Sequence, residues 1–148
     1  MQIFSLPIVL FGLLATFVAA NQCTGNKSNA GYCEVLTYED RTNNNGSPPS
    51  TSQCESSCKD VLTDAGDWSV SFKGQAAGYV QRMVNSACSF SVGRGNGEPS
   101  AYQFFMDNQD IVDILDEVNR RFGGAHTGKV SAQGTMRCQG HPATWYVD

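Results

Sequence analysis

The chain has 148 residues, a formal net charge of −4, six cysteines and two histidines. Charged residues make up 16% of it and no Lys/Arg run is present to neutralise phosphates, so nucleic acid is not an expected partner. The length suits one domain with a modest core.

Residues 1–20, MQIFSLPIVLFGLLATFVAA, are apolar and carry no charged side chain. Val18 and Ala20 stand at the small-residue positions before a cleavage point, so the segment reads as a secretory signal peptide. A membrane anchor is the competing reading, but the run is barely long enough to span and no basic flank follows it. Residues 21–148 then form a single mature domain. Cys23, Cys33, Cys54, Cys58, Cys88 and Cys138 all lie in it, an even number that implies disulfides in an oxidising compartment. There is no CxxC pair and no His–Cys cluster at ligand spacing, so structural zinc is not expected. Asn26-Lys-Ser and Asn45-Gly-Ser are possible glycosylation sequons in polar loops.

In chain order, residues 21–32 are small and polar and read as a tethered arm. Cys33 to Tyr38 has strand composition, and 41–51 has loop chemistry with three Asn and two Pro. Ser52 and Glu55 have capping-box spacing ahead of a first helix, with Cys54, Cys58, Val61, Leu62 and Ala65 on one face and Gly66 closing it. A bond between Cys54 and Cys58 within that helix would be strained, so each is expected to reach a different element. Trp68 to Phe72 alternates as a half-buried strand does, and 78–85 fits helix or strand equally. Cys88 to Val92 alternates again, a glycine-rich turn follows at 93–97, and 101–106 reads as a strand. Phe104 and Phe105 are consecutive there, so one of the two rings faces outward. Asp107 to Gly124 is the clearest element: Ile111, Ile114, Leu115, Val118 and Phe122 form an apolar stripe. Asp107 or Asn108 caps its start, Arg120 and Arg121 suit its end, and Gly123 and Gly124 are expected to supply a left-handed stop. Its aspartates read as a solvated face. Val130 to Cys138 and Ala143 to Val147 are the last strands. The fold class is α+β: a mainly antiparallel β-sheet with two amphipathic helices on one face, stapled by disulfides.

Five ordered blocks resemble a family of secreted fungal effectors, the necrosis-inducing factors of extracellular-protein-two type. They are Cys33 with Thr37, Tyr38 and Thr42; Cys58 followed by Gly66-Asp-Trp68-Ser-Val70; Cys88-Ser-Phe90-Ser-Val92; Asn108-Gln-Asp110-Ile111-Val-Asp113-Ile114 ending at Phe122; and Val130 to Cys138 with Trp145. The match runs from about residue 33 to the end. The resemblance implies a secreted virulence or competition factor without cofactor or established catalysis. Cys23 and Cys54 are extra to the family's four-cysteine pattern, which makes them expected partners of each other.

Catalytic sets are sparse. A small secreted ribonuclease would pair His126 or His141 with Glu98 or Glu39 and use Arg94 or Arg137 to hold phosphate, but no single strand places such a set on one face. No GxSxG motif is present, and every cysteine is expected to be oxidised. The primary expectation is a non-enzymatic, monomeric, extracellular toxin-like effector that binds a target on a host or on a competing microbe. Alternatives are a killer-toxin-like inhibitor presenting Lys or Arg to a channel or membrane, and the ribonuclease.

Overall fold

A computed structural model describes residues 21–64, 66–99 and 101–148. The apolar leader at 1–20 lies outside these residues. The strands are β1 (Cys33–Val35), β2 (Glu39–Asp40), β3 (Trp68–Ser71), β4 (Val80–Val84), β5 (Phe90–Arg94), β6 (Gln103–Met106), β7 (Ala132–Cys138) and β8 (His141–Val147), and the helices are α1 (Thr51–Thr63) and α2 (Asn108–Phe122). One sheet runs β1-β7-β8-β5-β4 with β2 also on β7, and β3 and β6 pair separately; every pairing is antiparallel. The ambiguous 78–85 segment is therefore strand.

The central hairpin shows how pattern becomes core. Ala132, Gly134, Met136 and Cys138 of β7 are buried, as are Ala143, Trp145 and Val147 of β8, while Thr135 and Arg137 between them are exposed. Those inward side chains join Val61 of α1 and Ile111, Val112, Ile114, Leu115 and Val118 of α2 in one cluster, so both helices cover the same face. Gly134 admits no side chain: a Cβ there would overlap the Thr37 carbonyl oxygen and the Trp145 ring. The expected 33–38 strand stops at Val35, because the amides of Leu36 and Thr37 both donate to the Thr135 carbonyl, at 2.8 and 3.2 Å. Two residues thus oppose one, the signature of a bulge, and pairing resumes at Glu39.

The helix starts are set by reciprocal caps. Asp107 accepts from the Gln109 amide at 2.7 Å, and Asp110 accepts from the Asp107 amide at 2.8 Å. The box of α1 is Ser50 with Gln53 rather than Ser52 with Glu55: Gln53 N–H donates to the Ser50 hydroxyl at 3.2 Å, and Ser50 N–H donates to Gln53 Oε1 at 2.7 Å. Pairing of Ser50 with Lys129 holds Ser50 extended, as a cap must be. The end of α2 also differs from expectation. Gly123 stays right-handed at φ −57°, and the left-handed residues come later, at Thr127 and Gly128. Gly123 is needed for space, since a Cβ would press on the Thr51 side chain at 2.6 Å.

Three disulfides close the frame: Cys23–Cys58, Cys33–Cys138 and Cys54–Cys88. The expected Cys23–Cys54 bond is replaced by this arrangement. Cys54 and Cys58 sit one turn apart on the buried face of α1, so Cys54 meets the chain entering β5 and Cys58 meets the arm. Ser57, between them, aids the first docking, its hydroxyl donating to the Cys88 carbonyl at 2.9 Å.

The α2 aspartates expected on a solvated face divide: Asp110 is buried beneath the arm, whereas Asp113 and Asp116 stay partly exposed. Asn26 N–H donates to Gln109 Oε1 at 2.7 Å, and the amides of Tyr32 and Cys33 donate to Asp110 at 3.0 and 3.2 Å. Lys27 reaches Asp113 at 2.5 Å and Asp116 at 3.4 Å. Burial pushes the Asp110 carboxyl above the usual range, against the pull of its three amide donors.

Candidate recognition surface

Asn108, the first residue of α2, links two of the sequence blocks. Its side-chain oxygen accepts from the Trp68 indole N–H, and its side-chain amide donates to the Asp64 carbonyl at 2.7 Å. This fixes the start of β3 against α2. On β6, Phe104 is buried and Phe105 is 40% exposed, so the outward ring expected of that pair is Phe105. It stands opposite Ser69 in the β3–β6 register.

Tyr32 is the second exposed ring, also at 40%. It precedes Cys33, and Gln139 follows Cys138, so the Cys33–Cys138 disulfide holds both neighbours side by side. Gln139 N–H donates to the Tyr32 carbonyl at 3.0 Å, and Phe105 N–H donates to the Gln139 side-chain oxygen at 3.1 Å. The Tyr32 hydroxyl donates to Asp67 at 3.2 Å. Two exposed rings are thus held on one frame with an amide, a hydroxyl and a carboxylate around them. Exposed rings with fixed polar groups beside them, ordered before any partner arrives, are the physical make-up of a binding hot spot. A groove of about 340 Å³ adjoins it between β3 and β4, lined by Asp64, Asp67, Trp68, Ser69, Gln81 and Arg82. The Gln81 side chain bridges the two strands, accepting from Ser71 N–H at 3.0 Å and donating to the Ser69 carbonyl at 2.7 Å.

Tyr32 and Gln139 were not legible as site residues. Only the cysteine pairing, which sequence left open, brings them together. Strand alternation alone shows that one of Phe104 and Phe105 faces outward, without saying which.

The histidines occupy opposite ends of the central hairpin. His126 bonds Asp40 at 2.6 Å, and Asp40 pairs with Ala132 at the start of β7. His141 opens β8 opposite Cys138, with its Nδ1 3.6 Å from Glu98 and its ring stacked on Tyr102 at 4.9 Å. Six residue steps along β8 at about 3.3 Å put roughly 20 Å between those ends. Burial pushes the Asp40 carboxyl up, but its bonds to His126 and Thr42 outweigh this and leave it below the usual range. Of the ribonuclease set, Glu98 and Arg94 line one cleft beside the glycine turn. Glu39 is engaged elsewhere, accepting from Gln133 at 2.7 Å. Arg137 is exposed on β7 opposite Glu34. Of that set the structure brings His141, Glu98 and Arg94 to one end of the hairpin.

Asn26 is exposed, whereas Asn45 is half-buried with its amide on Asp148 at 3.3 Å. Among the described residues no helix is long and apolar enough to cross a membrane, and no group of three His, Cys, Asp or Glu could hold a metal.

Comparison with known proteins agrees with the blocks. The chain is 28% identical over 138 residues to a Penicillium expansum protein named "Probable chitinase LysM18"; the match covers 86% of this chain and 9% of that protein's length. Residues 32–138 match a family model described as "Pathogen effector; putative necrosis-inducing factor". That span includes Tyr32, Asp67, Asn108, Asp110 and the Cys33–Cys138 bond, and the chain belongs to this pathogen effector family.

Proposed function

We propose that residues 1–20 direct export and that the mature domain, 21–148, acts outside the producing cell by binding a target, with no chemistry of its own. The observation that carries this reading is the exposed Tyr32–Phe105 surface on a disulfide-locked frame. Family membership and three disulfides suit an extracellular effector. The ribonuclease alternative rests on His141, whose Nδ1 is 3.6 Å from Glu98, with Arg94 lining the same cleft as Glu98. Infiltrating purified oxidised protein into plant leaf tests the reading, with a response lost on replacing Tyr32 and Phe105 as the expected result. No response at any dose in plant or microbe overturns it.

A second reading is favoured by the Penicillium protein, in which a segment similar to this chain is a small part of a protein named as a chitinase. On that reading the target belongs to a competing microbe, and its growth inhibition replaces the leaf response. An RNA-cleavage assay with His126→Ala and His141→Ala variants addresses the ribonuclease alternative; no cleavage by the unmodified protein removes it.

A further inference from the structure

We infer that the Tyr32–Phe105 surface docks a cationic segment of a partner protein, a loop or strand presenting Lys or Arg. This rests on the surface being the recognition site, and adds the chemistry of what it recognises.

The charge around the rings is mostly of one sign. Asp67 accepts from the Tyr32 hydroxyl, and the neighbouring groove adds Asp64. The bond to Asp67 and the negative fields of Asp67, Asp107 and Asp110 all raise the Tyr32 phenol above its ordinary range. Two cations lie nearby: Arg82, on the β4 side of the groove, donates to Asn85 at 3.1 Å, and Arg137 stands opposite Glu34 in the β1–β7 register. Exposed aromatic faces attract guanidinium and ammonium groups, and a carboxylate beside the ring adds a charge-assisted acceptor. A ring and a carboxylate held together are therefore a matched pair for one basic side chain.

Other occupants fit less well. A neutral polysaccharide could stack on the rings but gains nothing from the carboxylate field. A second copy would bring the same acidic surface on a chain of net charge −4, so the two faces would repel on closing.

The test uses the oxidised mature protein and a 12-residue Lys/Arg-rich peptide, with a Glu-rich peptide of equal length, chitin beads and sedimentation of the protein alone as parallel arms. Binding to the basic peptide is expected, weakening as salt rises. Asp67→Asn and Phe105→Ala should each weaken it about twofold to fivefold, the range of a single exposed contact of this kind. Glu55→Gln, outside the surface, should leave it unchanged, with melting temperatures of all variants preserved. Equal weakening by Asp67→Asn and Glu55→Gln would mean diffuse attraction and overturn the inference. So would Phe105-dependent binding to chitin or self-association in place of peptide binding, which would leave the surface standing as a site. If Phe105→Ala changed neither peptide binding nor the leaf or growth response, the reading of the site would itself fail.

Discussion

Replacing Asp110 by alanine tests the link between arm and helix. The carboxylate is 7% exposed and accepts from three backbone amides, those of Tyr32, Cys33 and Asp107. Alanine orphans all three, and an unmet buried amide costs about 1–3 kcal/mol, with about 1 kcal/mol for loss of the cap alone. Two effects reduce the sum. The arm stays tied through Cys23 and Cys33, and removing the carboxylate relieves the burial cost that pushes its ionisation upward. Asp110→Ala should therefore destabilise by about 2–4 kcal/mol in urea unfolding at pH 7. Asp110→Asn keeps an acceptor and should cost about 1 kcal/mol. Amide exchange should quicken at Tyr32 and Cys33 in the alanine variant. A loss under about 0.5 kcal/mol, with exchange at those amides unchanged, would refute the reasoning.

Gly134→Ala should be among the most damaging single changes, about 3 kcal/mol or more, because the Thr37 carbonyl and Trp145 ring occupy the space a methyl needs; thermal unfolding reads it directly. Removing the Cys33–Cys138 bond with paired serines frees a loop of 105-residue separation and should cost about 2–5 kcal/mol, with Gln139 and Tyr32 losing their fixed spacing in NMR. The bonds from Arg120, then Arg121, hold the Glu117 carboxyl at about 2. Its folded value is depressed, so its contribution is present above the ordinary carboxyl value of 4.5 and lost as pH falls toward 2. Glu117→Gln should flatten the acid limb of stability in that window by less than about 1 kcal/mol, since the pair is partly exposed.

The apolar stripes of both helices and the inward set of β7 and β8 were legible because each is a local period, three to four residues or two, facing one core. Asp110, Asn108 and Gln109 were not legible in their roles. Their types read as cap and surface, whereas their partners lie 77 or 78 residues away in the arm, 40 or 44 away near β3, and 83 away in the arm again. Cysteine pairing failed for a related reason. One helical turn separates Cys54 from Cys58, and no feature of the sequence says which of them the arm reaches. The recognition surface inherits that gap, since Tyr32 and Gln139 become neighbours only through the Cys33–Cys138 bond.

The central claim is that an exposed two-ring surface, and no catalytic group, carries the activity. The most direct measurement is the leaf response to the Tyr32→Ala/Phe105→Ala double variant beside the His126→Ala/His141→Ala double variant, both with oxidised cysteines and unchanged melting. The aromatic variant should lose the response and the histidine variant should keep it. A response that survives loss of both rings and disappears with the histidines would contradict the claim.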